Sequence, residues 1–385
     1  MKKMLHIPRA FYDLLLERFL PGKKRTGFAF IIHPRDINDV YTMYPFMRLL
    51  PAAVVKFFLL YIFWPVTITN ITGARTLSDG VPLNGWMISS PITPDMLVNN
   101  REAARKSFIR AVRLAEKRGA QYVGLGALSA SLTRGGKDLI GHTKAHIVTG
   151  RLFTAHNVSD LVMRGAEALE IDAKNAHISI IGAAGSIGSA TAQILAHRGC
   201  TKFNLVDLAR KESRLTALKT YLNEIQNGVS VEISTEVESA SQSEIIVIAT
   251  NRTDAFLKSE HIKHGALVVD DAKPVNVDPK VIESRPDILV LEGGAVHTES
   301  VQVNINIGLQ HRTDIYSCLA EVIILTASNA KDHYNVGELM KIDFNEVERL
   351  ASLATQLGFS TGEFQNYRLQ YTKEHIATAR TLRAL

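Results

Sequence analysis

The chain reads Gly182-Ala183-Ala184-Gly185-Ser186-Ile187-Gly188 between an apolar run, Ile178–Ile181, and a helical pattern, Ser186–His197. Glycine suits this turn because the backbone must bend tightly and approach a pyrophosphate with no Cβ in the way. The helix that follows would hold the phosphates with its first amides and the positive end of its dipole. A second apolar run ends at Asp207, nineteen positions beyond Gly188, so the stretch predicts dinucleotide binding. The alternative is a glycine turn that only packs a helix on a strand.

The residues after the second run bear on which dinucleotide is bound. A carboxylate at Asp207 would bind the ribose hydroxyls of NAD. Arg210, Lys211 and Arg214 follow at once, and guanidinium groups there suit the 2′-phosphate of NADP. The alternative is that these cations only face solvent at a helix start, where they oppose the helix dipole. We therefore expect NADPH as the cofactor and keep NADH as an alternative.

From His177 onward, short apolar runs alternate with helical patterns. The further runs are Phe203–Val206, Val231–Ser234, Ile245–Ala249, Leu267–Asp270 and Ile288–Leu291. This alternation predicts an α/β fold with a doubly wound parallel sheet, the Rossmann arrangement, in which ligands lie at the carboxyl ends of strands. At those ends we predict cofactor contacts from Thr250, Asn251, Gly293 and Gly294. The alternative is that these residues only form turns.

The rest of the chain predicts three further parts. Strand-like runs alternate with helical patterns up to about residue 150, which indicates a mixed α/β domain. Beyond residue 313 the pattern is helical, with no strand signal. The predicted parts are a basic segment 1–26, an α/β substrate domain 27–150, a Rossmann domain 151–310 entered through a linker helix 148–169, and C-terminal helices 311–385 that pack back on both domains.

Composition excludes several classes of protein. The 385 residues are 46% hydrophobic and 21% charged, which is typical of a globular chain. Two cysteines, Cys200 and Cys318, are too few for a disulfide framework or a Cys-rich metal site, and we predict no metal. The net charge of +6 is concentrated in residues 1–25, with seven Lys or Arg against Asp13 and Glu17. The remainder is close to neutral, so we predict no nucleic-acid partner.

The segment Ala52–Trp64 is the most hydrophobic of the chain, with Lys56 as its only charge and Pro65 after it. It is too short to span a bilayer. One interpretation is a buried helix. The other is a surface helix that touches a membrane or lines the mouth of an acyl channel, with the basic residues 1–25 resting on anionic lipid. A membrane contact through 1–25 and 52–64 is therefore an open prediction.

Several stretches together resemble the cyanobacterial type of long-chain acyl-(acyl-carrier-protein) reductase, from about Phe28 to about Leu325. Besides the glycine motif they are Phe28–His33, Gly85–Leu97, Gly124–Ser129, Thr149-Gly150 with Thr154-Ala155, Leu291–Val296 and Tyr316–Glu321. The resemblance implies reduction of a long-chain acyl thioester to a fatty aldehyde with NADPH, with acyl carrier protein as a partner. It also implies an architecture similar to shikimate dehydrogenase and glutamyl-tRNA reductase, with the active site between the two domains.

The chain departs from the family at the catalytic position. The family has His-Cys after its Gly-Gly turn, and that cysteine takes the acyl group. Here the turn is followed by Ala295-Val296-His297-Thr298-Glu299-Ser300. We therefore predict His297, Thr298, Glu299 and Ser300 as catalytic candidates in one of two routes. In the first, hydride passes directly to the carbonyl and His297, Thr298 or Ser300 stabilises the oxyanion, with His297 supplying the proton. In the second, Glu299 or His297 is the acid–base group of an alcohol–ketone oxidoreduction.

Neither remaining cysteine replaces the missing one in this interpretation. We predict Cys318 as a small buried hydrophobe in a helix, and Cys200 as remote from the substrate edge. In the family the segment Thr149-Gly150 faces the cleft, so Thr149, Gly150, Arg151 and Thr154 are the predicted substrate residues. The family has Asn where this chain has Arg151, and an arginine there could bind a phosphate or carboxylate.

The predicted function is an NADPH-dependent reductase of a long-chain acyl thioester or fatty aldehyde, without an acyl-enzyme. The alternatives are a dehydrogenase of another hydrophobic carbonyl or alcohol, and an inactive reductase-like binding protein at a membrane. Two cysteines fit a reducing compartment, so the predicted location is the cytoplasm, with contact to the inner face of a membrane left open.

Overall fold

The computed structural model describes residues 6–24, 26–252, 254–330, 336–337 and 341–385. Part of the predicted basic segment, including Lys2, Lys3 and Arg25, lies outside the described residues, as do 331–335 and 338–340 of the predicted C-terminal part. In the part of the chain that the structure describes, every helix is too short or too polar to cross a bilayer.

The elements alternate along the chain. The strands are β1 Gly27–Ile32, β2 Val66–Thr72, β3 Asn84–Ser89, β4 Ala120–Leu125, β5 His146–Val148, β6 His177–Ile181, β7 Lys202–Val206, β8 Ser230–Ser234, β9 Ile245–Ile248, β10 Leu267–Asp270, β11 Leu289–Glu292, β12 Ala295–Thr298, β13 Gln302–Val303, β14 Asp314–Tyr316 and β15 Phe359–Thr361. The helices are α1 His6–Arg18, α2 Ile37–Met43, α3 Ala52–Phe57, α4 Pro94–Asn99, α5 Arg101–Arg118, α6 Ser129–Leu132, α7 Arg151–Ala168, α8 Ser186–His197, α9 Glu212–Ile225, α10 Pro279–Ser284, α11 Ser317–Ala327, α12 Phe344–Gln356 and α13 Lys373–Arg383.

The first sheet has the strand order β13-β2-β3-β1-β4-β5 within the described residues. β1 runs parallel to β3 and β4, whereas β2 is antiparallel to β3. Because side chains alternate along a strand, the side chains of β1 pack into two different apolar cores. Phe28 and Phe30 pack toward α7 and α11, while Ala29 and Ile31 pack toward α5. Both faces of the central strand are therefore buried, which explains its unbroken apolar sequence.

The second sheet has the order β11-β10-β9-β6-β7-β8, and every pairing in it is parallel. Numbered along the chain from β6, this is the Rossmann order, in which the strand order reverses beside β6. The predicted α/β class with a doubly wound parallel sheet is thus confirmed. The reversal places the carboxyl ends of β6 and β9 beside one crevice, and that crevice is where such folds bind dinucleotides.

The prediction of no strand beyond residue 313 was wrong. A small antiparallel sheet joins β14, β12 and β15, and Val296 of β12 lies between Ile315 and Thr361. β14 and β15 are three residues long in the structure, which is too short to leave a periodic pattern in the sequence. The two-residue β13 likewise extends the first sheet beside β2.

One apolar core joins the two large sheets. It contains Phe28 and Phe30 of β1, Leu152 of α7, Ile194 of α8 and Val322 of α11, all of them buried. α7 packs on α8 on one side and on α11 on the other, and α11 packs on β1 and β4. The two helices therefore fix the sheet edges that face each other across the crevice.

Candidate active site

A cleft of about 2260 Å³ lies between the carboxyl edges of the two sheets. One wall carries the glycine turn and the ends of the Rossmann strands. The other carries apolar side chains of the first sheet and its helices. The apolar wall includes Phe30, Ile32, Met43, Leu59, Phe63, Val66, Ile68, Met87 and Leu125. The cleft is much larger than most small-molecule pockets, so it has room for a dinucleotide and a second molecule.

The glycine turn forms the centre of the first wall. Gly182 adopts a φ of +92°, and a Cβ there would lie 2.3 Å from the carbonyl oxygen of Ala249, so no other residue fits. A Cβ at Gly188 would lie 2.5 Å from the carbonyl oxygen of Gly182, so this glycine allows α8 to approach the turn. Among the described residues no side chain caps the first turn of α8, and Gly185, Ser186 and Ile187 line the cleft. The first amides of the helix are thus available to an anion.

Asp207 ties the glycine turn to the end of β7. Its carboxylate accepts hydrogen bonds from the Ala184 amide at 3.0 Å and the Leu208 amide at 2.8 Å. It also accepts one from Lys211 Nζ at 3.2 Å. Lys211 thus neutralises the carboxylate at the place where a ribose would bind. Arg210 and Arg214 line the same end of the cleft with exposed side chains, so the local charge is positive.

The other predicted cofactor residues lie along the same wall. Thr250 donates a hydrogen bond to Asn276 Oδ1 at 2.5 Å, and Asn251 donates one across the cleft to Ser131 Oγ at 3.4 Å. Gly293 and Gly294 follow β11. The residues of the predicted set that line the cleft are Gly182, Ala184, Gly185, Ser186, Ile187, Asp207, Arg210, Lys211, Thr250, Asn251, Gly293 and Gly294. Gly188 lies behind this wall, where it packs on the turn.

Ser317 holds Gly294 through its main chain and its side chain. Its carbonyl oxygen accepts hydrogen bonds from the Ser317 amide at 2.7 Å and the Ser317 hydroxyl at 2.9 Å. Asn157 of α7 in turn donates to Ser317 Oγ at 2.9 Å. Gly294 has a φ of +72°, and a Cβ there would lie 2.4 Å from Asp271 Oδ1. The absence of a side chain at Gly294 therefore leaves room for the Asp271 carboxylate beside the turn.

The predicted substrate residues meet the cofactor wall at the floor of the cleft. Thr149, Gly150, Arg151 and Thr154 all line the cleft, and the Thr154 hydroxyl donates to the Gly150 carbonyl at 2.6 Å. Gly150 has a φ of +74°, and a Cβ there would collide with Cys318. Burial lowers the pKa of Arg151 to about 10, against the opposing effect of Glu321. Arg151 therefore remains a cation at neutral pH.

The predicted catalytic residues lie elsewhere. His297, Thr298, Glu299 and Ser300 are not among the residues that line the cleft. The chain leaves the Gly293-Gly294 turn as β12, and a strand advances about 3.3 Å per residue. His297 Nδ1 lies 3.1 Å from Asp314 Oδ1 in the small sheet, and Thr298 is fully buried. The structure does not bring these four residues together with the cofactor wall, so their catalytic role stays a prediction.

Asp271 is a titratable residue of the cleft that lies beside Gly294. The interpretation of the sequence assigned it no catalytic role. Burial raises the pKa of Asp271 to about 7, with Lys273 opposing the shift and Asp270 and Glu292 adding to it. A carboxyl group with this pKa is half protonated at neutral pH and can donate a proton. Its position at the carboxyl end of β10 is the only signal in the sequence that could have pointed to it.

Three other polar residues that line the cleft, Lys273, Tyr316 and His33, already have ion-pair or hydrogen-bond partners. Lys273 forms an ion pair with Glu292, and the Tyr316 hydroxyl donates to the Ile307 carbonyl at 3.0 Å. His33 also lines the cleft, but its Nε2 accepts from the Leu128 amide at 3.2 Å and its Nδ1 lies 2.8 Å from the Pro34 carbonyl. Asp271, which lies beside Gly294 and has a raised pKa, is therefore a candidate proton donor.

Cys318 differs in place from the sequence prediction. It is the second residue of α11, is partly exposed and lines the cleft, rather than being fully buried. Burial nevertheless raises the pKa of its thiol to about 12, and Asp271 and Glu321 add to the shift. A thiol with this pKa is almost entirely protonated at neutral pH and is a poor nucleophile. Cys200 is fully buried at the end of α8, and it does not line the cleft.

Parts of the chain are similar to known proteins. Residues 165–290 match the model of the shikimate/quinate 5-dehydrogenase family. The chain is 21% identical over 305 residues to the aminotransferase PigE of a Serratia species, covering 78% of this chain and 35% of that protein. It thus spans about a third of the length of that relative. It is 24% identical over 310 residues to the long-chain acyl-[acyl-carrier-protein] reductase of Synechococcus elongatus, covering 76% of this chain and 85% of that protein.

Two oxidoreductases are among the solved structures that align with parts of this chain. The NAD-dependent malic enzyme of Thermotoga maritima aligns with a TM-score of 0.47 and 14% identity, over 93% of this chain and 83% of that one. The L-tryptophan dehydrogenase of Nostoc punctiforme gives a TM-score of 0.33 and 13% identity, over 69% and 68% of the two chains. The family match and the Rossmann sheet support the coarser prediction, an NAD(P)-dependent oxidoreductase.

Proposed function

We propose that this protein is an NADPH-dependent reductase of a long-chain acyl thioester or of the corresponding fatty aldehyde. The observation that carries the proposal is the composition of the cleft. One wall has the glycine turn and the cations Arg210 and Arg214, and the other is apolar over much of its length. The named relative from Synechococcus elongatus supports the same substrate class.

The apolar wall suits a hydrocarbon tail rather than a small polar acid. Phe30 and Met87 come from the middle of the first sheet, and Leu59 and Phe63 from the segment after α3. Burying a methylene group against such side chains contributes about 0.8 kcal/mol, so a long chain gains affinity from each carbon it places here. A short 2-hydroxy acid would make few contacts with this apolar wall.

The glycine turn, the uncapped start of α8 and the cations at Arg210 and Arg214 fit a phosphorylated dinucleotide. When bound, NADPH supplies a hydride to the carbonyl carbon of the substrate. The carbonyl electron pair then moves to the oxygen, which Asp271 protonates as a general acid. If the substrate is an aldehyde, the product released is the alcohol. A thioester adduct instead releases its thiol and leaves as the aldehyde, so each turnover consumes one hydride and one proton.

This route has no acyl-enzyme. Neither described cysteine offers a thiolate at neutral pH, because burial raises the pKa of Cys318 to about 12 and that of Cys200 to about 11. Direct transfer needs a carbonyl held near the hydride donor and a proton source. The floor of the cleft at Thr149 and Thr154 would position the carbonyl end of the substrate by contact, and Asp271 would supply the proton.

The proposed activity is tested with the purified full chain, NADPH and three substrates: a long-chain acyl-carrier-protein thioester, the matching coenzyme A thioester and the free aldehyde. We expect oxidation of NADPH together with an equal amount of aldehyde or alcohol. Nucleotide binding without turnover of any of these, or of other hydrophobic ketones, would instead identify a catalytically inactive binding protein.

A second prediction concerns the choice of cofactor. Replacing Arg210 and Arg214 together by alanine should raise the KM for NADPH about tenfold or more and leave the KM for NADH nearly unchanged. The reason is that charge-assisted hydrogen bonds to the 2′-phosphate are lost, while NADH carries no such phosphate. Steady-state kinetics with both cofactors measures the effect.

Lys219→Ala provides the matched control, because Lys219 is an exposed cation of the same helix α9 that does not line the cleft. We expect this variant to keep the preference for NADPH. Equal losses for NADPH and NADH in the double variant would assign the two arginines to general packing and remove the argument for NADPH.

A further inference from the structure

The helix α3 and the turn Phe58–Ile62 that continues it are apolar on both faces. Val55 and Leu59, four positions apart, are 0% and 2% exposed and belong to the core beneath the first sheet. Phe57 and Tyr61, also four positions apart, are 53% and 60% exposed. A surface helix of a globular protein normally carries polar residues on its outer face. This outer face therefore calls for a ligand or partner.

Seven large apolar side chains between Phe46 and Ile62 are exposed, and we call this set the outer apolar face. It consists of Phe46, Leu49, Leu50, Val54, Phe57, Tyr61 and Ile62. Leu49 is 87% exposed, and the rings of Phe57 and Tyr61 are 5.1 Å apart between centroids. Grouped exposure of this kind marks an interaction site, in contrast to the single apolar residues found on most surfaces.

The segment that carries this face has basic residues and no acidic ones. From Tyr41 to Trp64 the sequence contains no Asp or Glu, whereas Arg48 and Lys56 lie between the residues of the outer apolar face. Lys56 forms an ion pair with Asp95 of α4 at 2.8 Å, so Arg48 is the cation of this segment that adds to its positive charge.

Further cations lie beside the end of the segment. The guanidinium of Arg18, on the adjoining helix α1, lies 4.3 Å from the ring centroid of Trp64, and that of Arg110 lies at the same distance. Glu17 accepts a hydrogen bond from the Trp64 indole at 3.4 Å, so two cations face one carboxylate here. Basic residues beside exposed aromatic and aliphatic side chains are typical of surfaces that bind anionic bilayers.

We propose that the outer apolar face docks on an anionic lipid bilayer. An acidic carrier protein would need several unpaired cations within its contact, whereas here the exposed apolar side chains greatly outnumber the cations and Lys56 is paired with Asp95. A second copy of the chain, related by a twofold axis, would bring the same cations toward each other. Because no described helix can cross a bilayer, the contact is with the interface of the membrane.

The inner face of the same segment leads into the cleft. Lys56, Leu59, Phe63 and Trp64 line the cleft, whereas Phe57 and Tyr61 do not. The segment that would dock on the membrane therefore also contributes residues to the wall of the cleft. A role of this segment toward the long-chain substrate rests on the proposed function, but the docking itself does not.

The test is co-sedimentation of the full chain with vesicles of phosphatidylcholine alone and of phosphatidylcholine with phosphatidylglycerol. We expect binding to the anionic vesicles, and a reduction of about tenfold or more for the double variant Phe57→Glu with Tyr61→Glu. The matched control is Val81→Glu with Ile140→Glu, since these side chains are 50% and 44% exposed and do not line the cleft. The control should sediment like the unmodified chain, and both variants should keep their affinity for NADPH.

Several outcomes would overturn the docking proposal. They are absence of binding to anionic vesicles, equal losses in the two double variants, and a concentration-dependent dimer that Phe57→Glu with Tyr61→Glu abolishes without any vesicle binding. Loss of binding to acyl carrier protein alone would also assign the face to that partner. Vesicle binding with no reductase activity would contradict the proposed function and leave docking in place, and activity without vesicle binding would do the reverse.

Discussion

Replacing Gly185 by valine should greatly weaken NADPH binding while leaving the protein folded. Gly185 has φ −78° and ψ 166°, an extended conformation that valine adopts readily. A Cβ there would lie 3.0 Å from the carbonyl oxygen of Gly182 and 3.7 Å from that of Ala249, so the turn needs only a small shift. The branched side chain, however, fills the space in front of the first amides of α8, where a pyrophosphate would lie. We expect affinity to fall about 100-fold or more, measured by calorimetry.

The matched control is Gly362→Val. Gly362 has no atom within 4 Å of an added Cβ, and it does not line the cleft. This variant should bind NADPH as the unmodified chain does, and circular dichroism and thermal unfolding should show both variants folded. Undiminished binding by Gly185→Val would contradict the assignment of the glycine turn, and with it the cofactor.

Replacing Asp271 by asparagine should lower the rate of reduction about 100-fold or more, because general acid catalysis typically contributes at least that factor. Affinity for NADPH should change little, since the amide keeps the shape of the carboxyl group. The pH profile supplies the sharper test. Burial raises the pKa of Asp271 to about 7, and reduction needs the protonated form. Turnover of the unmodified chain should therefore fall as the pH rises through about 7, and the asparagine variant should lack this step.

Asp271→Asn should lower activity and, at pH 8, raise the stability of the folded protein. A carboxyl whose pKa is raised by folding favours the folded state below its unfolded pKa and loses that advantage as the pH rises through the folded value. At pH 8 the Asp271 carboxylate is charged and destabilising, so Asp271→Asn should unfold at a higher temperature than the unmodified chain. At pH 3, where both forms are neutral, the difference should vanish. Lower activity together with higher stability would identify Asp271 as a catalytic group, because replacing a purely structural residue would lower stability.

Asp172→Asn serves as the control, since Asp172 is exposed and lies outside the cleft. It should leave the pH profile and the rate of reduction as they are. Should Asp271→Asn retain full activity while His297→Ala loses it, the proton would come from the small antiparallel sheet, as the sequence interpretation has it.

The nucleotide half was predictable because its signals are local. The glycines of 182–188 and the apolar runs on either side specify one strand, one turn and one helix, and parallel sheets repeat that unit. The sequence also placed Thr149 and Thr154 at the floor of the cleft through the family resemblance. These elements need no knowledge of contacts between distant residues.

The position of His297 was harder to predict because it depends on the direction of the chain after Gly294. Proximity in sequence to the Gly-Gly turn suggested His297, but β12 pairs with β14 and β15 and carries His297 to Asp314. Those pairings join residues far apart in sequence, and strands of three residues leave no pattern. The raised pKa of Asp271 is likewise a property of burial, which no local sequence reports.

The hydrogen bonds from Asn157 to Ser317 and from Ser317 to Gly294 connect α7, α11 and the end of β11. Thr154, one turn before Asn157 on α7, lies in the floor of the cleft on the same rigid support. Under the proposed function, the residues beside the carbonyl would therefore be anchored to the half that binds the nucleotide, while the tail would rest on the other half. Changes among Leu59, Phe63 and Met87 would then alter the preferred chain length of the substrate without altering the distance over which hydride travels.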